Sequence, residues 1–172
     1  MNILLITQMY PQPDDEGDNK ITRTVEYFAK EWVALGHRGL VAHCASRFPL
    51  ALYLIPDGIK NKAAGATSKI FPSRSSRKKL LREEFGIRIC RWLAQERFTP
   101  DLVAGHFANP STELTAILAR KYGAKSSIVF HQEFDEINVK KYRLKENVFQ
   151  IRAVGARSVI EAEKVKRILQ LA

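Results

Sequence analysis

Residues 101–131 read DLVAGHFANPSTELTAILARKYGAKSSIVFH, and the apolar period changes twice along them. Asp101 to Phe107 is a short apolar run, too short for a helix and long enough for a buried strand. Asn109 and Pro110 suit a helix cap and a first helical position. Leu114, Ile117, Leu118 and Tyr122 then recur at helical spacing, and Ser127 to Phe130 is a second strand that closes on His131. A strand, a helix and a strand joined this tightly predict a crossover between parallel neighbours.

The same rhythm extends towards the N-terminus. Asn2 to Thr7 is an Ile/Leu run bounded by Tyr10-Pro11 and Pro13, and reads as a buried, central parallel strand. Val25, Phe28, Ala29, Trp32 and Val33 give one helical face, Gly36 ends that helix, and Leu40 to Cys44 is the next strand. The helix start is expected at an Asn19 cap. From Ser46 to Ser76 the chain is broken by Pro49, Pro56, Gly58, Gly65 and Pro72, and reads as loop with one short strand or helical turn.

Beyond that loop, Leu81, Phe85, Ile89, Trp92 and Leu93 mark an amphipathic basic helix from Arg77 to about Arg97. A short helix is expected over Glu136 to Tyr142 and a strand over Val148 to Val154. Ser158 and Glu161 then form a capping box for a last helix carrying Val165, Ile168 and Leu169. The alternation predicts an α/β fold: a Rossmann-like, doubly wound parallel sheet with helices on both faces, as a single domain over 1–172.

The bulk properties agree with one core. A chain of 172 residues with 45% hydrophobic content is globular, and no apolar run approaches the ~20 residues that span a bilayer. The opening segment lacks a basic leader and a small-residue cleavage site, so a cytoplasmic location is expected. Cys44 and Cys90 are far apart and read as core residues, not as a disulfide or zinc framework. The net charge of +10 is unevenly spread: residues 60–97 hold 11 Lys/Arg against 3 Asp/Glu. A field that concentrated attracts an anionic partner.

In a doubly wound sheet, ligands bind beyond the carboxyl ends of the strands where the strand order reverses, which directs attention to residues 8–19, 45–50, 106–109 and 131–135. Gly17 precedes a helix N-terminus and suits an anion, although Asp14, Asp15, Glu16 and Asp18 oppose one; an acidic turn is the competing reading. Neither G-x-G-x-x-G nor a P-loop is present. His106 and His131 each close a strand on the binding edge, where a lone histidine is more often structural than catalytic. His131, followed by Gln132 and Glu133, is the stronger candidate. His37 reads as a helix-end residue and His43 as core. There is no G-x-S-x-G elbow and no paired metal-ligand motif.

Several features occur together in order: Gln8-Met9-Tyr10-Pro11 after the first strand, a glycine-containing loop before an amphipathic helix, and Leu35-Gly36-His37. They are followed by Pro100-Asp101-Leu102-Val103 leading to His106, Ala116 to Gly123 before a strand ending at His131, and a late strand leading to Ser158. This ordered set resembles the N-terminal domain of GT-B glycosyltransferases, specifically the retaining glycosyltransferase family 4 group. The resemblance implies a cleft between two Rossmann-like domains. This chain would supply the acceptor side, and a C-terminal domain absent from it would hold most of the nucleotide-sugar donor.

The resemblance further implies that Gly17, Asp18 and Asn19 line the donor phosphates and that His131 meets the donor sugar near the reacting carbon. His106, Phe107, Asn109 and Glu133 would then border a glycan or lipid-linked acceptor. Glu16-Gly17-Asp18 stands where the family often has paired glycines, and Gln132-Glu133 keeps only the acid of the usual pattern. No cofactor or metal is implied, and this chain alone is expected to be inactive.

Arg74, Arg77, Lys78, Lys79 and Arg82 form an anion patch that could hold the protein on the inner face of an anionic membrane. The same residues could be a solvated helix face. A non-enzymatic module binding an anionic ligand, a membrane surface or nucleic acid through residues 60–97 is the alternative function. No DNA- or RNA-binding motif supports the nucleic-acid version.

Overall fold

A computed structural model describes residues 1–8, 23–45, 59–63, 66–72, 78–106, 111–131, 150–156 and 158–169. The strands are β1 (Asn2–Thr7), β2 (Arg38–Ala45), β3 (Ile59–Ala63), β4 (Ala66–Pro72), β5 (Leu102–His106), β6 (Lys125–Phe130) and β7 (Ala153–Ala156). The helices are α1 (Thr24–Ala34), α2 (Lys78–Gln95), α3 (Ser111–Tyr122) and α4 (Val159–Leu169).

The strands form one sheet in the order β3-β4-β2-β1-β5-β6-β7. Six run parallel, and β3 alone is antiparallel, on the edge against β4. The expected doubly wound sheet is therefore present, with β1 in its middle. Side chains alternate along each strand, so the sheet builds two cores. Leu4 and Ile6 of β1 join Leu40, Ala42, Phe71 and Val103 beneath Phe85, Ile89, Trp92 and Leu93 of α2 and Leu114 and Leu118 of α3. Leu5 points the other way and packs with Val41 beneath Val25 and Ala29 of α1. Val165 and Leu169 of α4 join Ile128, Phe130 and the α3 residue Ala116, which sets α4 on the α2/α3 side. The buried Trp92 indole donates to Glu96 Oε1 at 3.1 Å, so its polar atom is satisfied at the rim.

Asp101 registers the centre of the sheet. Its carboxylate accepts from the Asn2 backbone N–H at 2.7 Å, and its own N–H donates to the Asn2 carbonyl at 2.8 Å. The amino end of β5 is thereby tied to the amino end of β1. Gly36, at φ +79°, supplies the left-handed residue expected after α1. At the other end of the chain, Ser158 Oγ accepts from the Glu161 N–H at 3.2 Å, as the capping pattern predicted for α4.

Three expectations need correction. The segment 46–76 contains two strands, not one: β3 and β4 form a hairpin, and β4 pairs with β2. Their polar residues, with Lys60, Lys62 and Lys69, hid them: β3 lies on the sheet edge, where apolar content is not required, and β4, paired on both sides, carries buried Ser68 and Lys69 beside its core residue Phe71. The last strand spans Ala153–Ala156 instead of Val148–Val154, while Ile151 precedes it as a buried core residue. α1 begins at Thr24 behind Arg23, which offers no side-chain cap, so Asn19 does not cap it. Arg23 instead pairs with the first-turn Glu26 at 3.4 Å. Phe28, on the apolar face of α1 with Val25 and Ala29, is 37% exposed. The helix expected at Glu136–Tyr142 and the Asn109-Pro110 cap lie outside the described residues.

Candidate functional site

The chain proceeds outward from β1 through β2 to β4, then returns across the sheet to β5 on the opposite side of β1. The strand order thus reverses between β1 and β5, and the carboxyl ends of these strands and their neighbours form the edge where ligands bind in this topology. Alternation places Thr7, His43, His106 and His131 along that edge on the α1 face, because Leu5 and Val41 already face α1 while Val103, Ile128 and Phe130 face away from it. Register aligns them: Thr7 is level with His43, and Ile6 with Gly105. A polar row therefore ends an otherwise apolar surface.

His106 and His131 are brought together across β5 and β6. Their Nδ1 and Nε2 atoms, respectively, lie 2.6 Å apart. The ring centres are 4.9 Å apart with only 16° between the planes. That centre separation exceeds the nitrogen separation by about one ring radius at each end, so the rings lie end to end, nearly coplanar, and the contact is an in-line N–H···N hydrogen bond. His106 is 1% exposed, whereas His131 is half-buried. Burial first, and repulsion from the His131 ring second, push the His106 pKa down to about 3. Burial lowers that of His131 as well. Both rings are accordingly neutral at pH 7, and one proton bridges them.

Phe28 reaches this pair from the second turn of α1. Its ring meets His106 edge-on at 5.0 Å and His131 at 6.4 Å, and it also touches Trp32 at 6.1 Å. His43 donates its Nε2–H to the Gln8 carbonyl at 2.8 Å, which satisfies a ring that is 7% exposed and agrees with its reading as core. Below the edge on the opposite face, the hydroxyls of Ser111 and Thr115 at the start of α3 are buried with no hydrogen-bond partner among the described residues. Among the described residues, no three His, Cys, Asp or Glu side chains converge as metal ligands.

Of the residues singled out in the sequence, the structure thus joins His106 to His131. Gly17, Asp18, Asn19, Phe107, Asn109, Glu133, Arg74 and Arg77 lie outside the described residues. Lys78, Lys79 and Arg82 fall within α2, but their side chains are likewise outside the description. Phe28 was missed as a site residue because its spacing with Val25 and Ala29 matches a core stripe. Only its place on the shoulder of α1, beside β5 and β6, distinguishes it.

These features define a Rossmann-like α/β domain with a neutral histidine pair at the carboxyl edge of its sheet. No family model and no curated protein sequence matches the chain. Among solved structures, its fold is similar to that of a sucrose-phosphate synthase from Thermosynechococcus elongatus, with a TM-score of 0.64 and 14% identity over 97% of this chain and 82% of that one. A second structure, titled "Structure of MT0777", overlaps at a TM-score of 0.47 with 13% identity, over 99% of this chain and 98% of that one. Among the described residues, no helix is long and apolar enough to cross a membrane.

Proposed function

We propose that this chain is the acceptor-side half of a retaining GT-B glycosyltransferase, which moves a sugar from a nucleotide-sugar donor to a glycan or lipid-linked acceptor. The observation that carries the reading is the position of His131: it stands just past β6, beside the topological switch, with its ring held by a buried partner. The likeness in fold to a protein named for making sucrose phosphate, itself a glycoside, supports the same reading.

In this reading His131 meets the transferred sugar near its reacting carbon. Gly17, Asp18 and Asn19 face the donor phosphates and Phe107, Asn109 and Glu133 border the acceptor; His106, expected to border it as well, is 1% exposed and lies against His131 instead. A neutral imidazole suits that place, since it offers a directional hydrogen bond to a hydroxyl without attracting a second phosphate. The departing nucleoside diphosphate needs preorganised positive groups. Those belong to the C-terminal domain, so this half alone is inactive. The basic residues Arg74 to Arg82 hold the protein against anionic lipid at the inner face of the membrane, near lipid-linked acceptors.

The test is transfer from radiolabelled nucleotide sugars to a panel of glycan and lipid-linked acceptors, using the protein joined to its C-terminal domain. Transfer that drops at least tenfold in His131→Ala, with the thermal midpoint retained, is expected. Turnover unchanged in that variant would remove His131 from the chemistry. Absence of transfer, combined with salt-sensitive binding to anionic vesicles or oligonucleotides, would favour a non-enzymatic module built on residues 60–97.

A further inference from the structure

The ring of Phe28 is held on several sides and is still 37% exposed. Val25 and Ala29 point from α1 into the sheet, and helical spacing sets Phe28 beside them on the flank towards β5 and β6. On the sheet side it meets the rings of His106 at 5.0 Å and His131 at 6.4 Å. One turn further along α1, Trp32 packs against the cluster of Leu5, Val25, Ala29 and Val41 and lies 6.1 Å from Phe28. Because α1 connects the parallel strands β1 and β2, it runs back from the carboxyl edge, and Trp32 covers Phe28 from the amino side. The part of the ring left open faces away from the sheet and from Trp32, at the level of the strand ends that carry the two histidines. Single exposed apolar side chains are common on any surface. Phe28 is set apart by its seat beside a polar pair where the strand order reverses.

We propose that Phe28 is the stacking residue of the acceptor site: the apolar face of an acceptor pyranose packs against its exposed surface. A pyranose is amphipathic. Its hydroxyls project mainly from the rim, whereas axial C–H groups on one face form an apolar patch whose weakly positive hydrogens suit the negative face of an aromatic ring. Exposed aromatic surface next to a few polar groups is the combination that small-ligand sites use. The three ring contacts fix the Phe28 side chain in advance, so little of its freedom is lost on binding. The class of ligand selected is a pyranoside with a continuous C–H face; a phosphate or another small anion gains nothing from this ring. That the sugar is an acceptor rests on the glycosyltransferase reading, which assigns this half to the acceptor. The exposed, ring-held Phe28 does not depend on it.

Two measurements test this. In the first, the chain is titrated with the methyl pyranosides of glucose, galactose and mannose, and intermolecular NOEs are recorded between the Phe28 ring protons and the sugar C–H protons. At least one pyranoside is expected to show them. Its affinity should fall about fivefold or more in Phe28→Leu and be retained in Phe28→Tyr, both at the wild-type thermal midpoint. In the second, the protein joined to its C-terminal domain is assayed for transfer. There Phe28→Leu should raise KM for the acceptor about fivefold or more, with kcat and the donor KM close to wild type. The proposal is overturned if none of the three pyranosides binds, if binding gives no NOE to Phe28, or if Phe28→Leu binds as tightly as wild type. Transfer with an unchanged acceptor KM in Phe28→Leu also overturns it, while the glycosyltransferase reading stands. Pyranoside binding that depends on Phe28, with no transfer to any acceptor, removes that reading and supports a stacking site in a carbohydrate-binding module. Should Phe28→Leu fail to fold, the wild-type NOEs and the Phe28→Tyr affinity decide.

Discussion

Gly105 of β5 and Thr115 of α3 pack so closely that no side chain fits between them: a Cβ at Gly105 would overlap Thr115 Oγ1 and stand 2.6 Å from Ile128 Cδ1. This contact seats the start of α3 on the sheet one residue before His106. Gly105→Ala should therefore push α3 away from β5 and β6 and lower stability by about 1–3 kcal/mol. The check is the urea midpoint of the variant against wild type. An unchanged midpoint would mean that α3 shifts freely and does not set the position of the histidine edge.

Acid should destabilise the fold through His106. Its pKa is near 3 in the folded chain, depressed from the ordinary 6.5. The unfolded chain therefore binds the extra proton first. The resulting stability is fully present above about pH 6.5 and declines as pH falls towards the folded value, by at most about 1.4 kcal/mol per pH unit. Its described ring neighbours, Phe28 and His131, supply no anion to offset this. Between pH 7 and pH 5 the urea midpoint of wild type should fall more than that of His106→Asn. Equal falls would locate the acid sensitivity elsewhere.

Cys44 is 1% exposed, and burial pushes its thiol far above the ordinary range despite the opposing charge of Arg88. Thiolate is the reactive form. In the folded protein at pH 8, iodoacetamide should label Cys90, which is only partly buried, well before Cys44. Mass spectrometry of timed digests reads the order, and denaturant should equalise the two rates. Cys44 labelled as fast as Cys90 under native conditions would mean that the sheet core opens readily.

The basic segment makes a separate prediction about surfaces. Reversing Arg77, Lys78 and Lys79 to Glu changes the local charge by six. If these residues hold the protein on lipid, co-sedimentation with phosphatidylserine vesicles at about 0.1 M salt should be lost, each basic residue contributing on the order of 1 kcal/mol. Retained co-sedimentation would assign them to a solvated helix face.

The legibility of the fold varied with burial. β1, β5 and β6 are buried, so their Ile, Leu and Val runs announce them, and Gly36 and Ser158 mark helix ends by local chemistry that needs no distant partner. β3 was hidden because an edge strand can be built from Lys and Asn, and β4 because Thr67, Ser68 and Lys69 come before its apolar Ile70 and Phe71. β7 was misplaced because Ile151 is as apolar as a strand residue yet packs with α4 before the strand begins.

By itself, the sequence determined the alternation of strands and helices, the central place of β1, and the presence of His106 and His131 at two strand ends. Those properties follow from hydrophobic period and turn chemistry, which act over a few residues. Only the tertiary structure decided that the two histidines, 25 residues apart, meet with their ring nitrogens 2.6 Å apart, and that Phe28 lies beside them. Pairing depends on which strands are neighbours and in what register, and burial of His106 depends on every element around it. Neither is written in any local stretch of the chain.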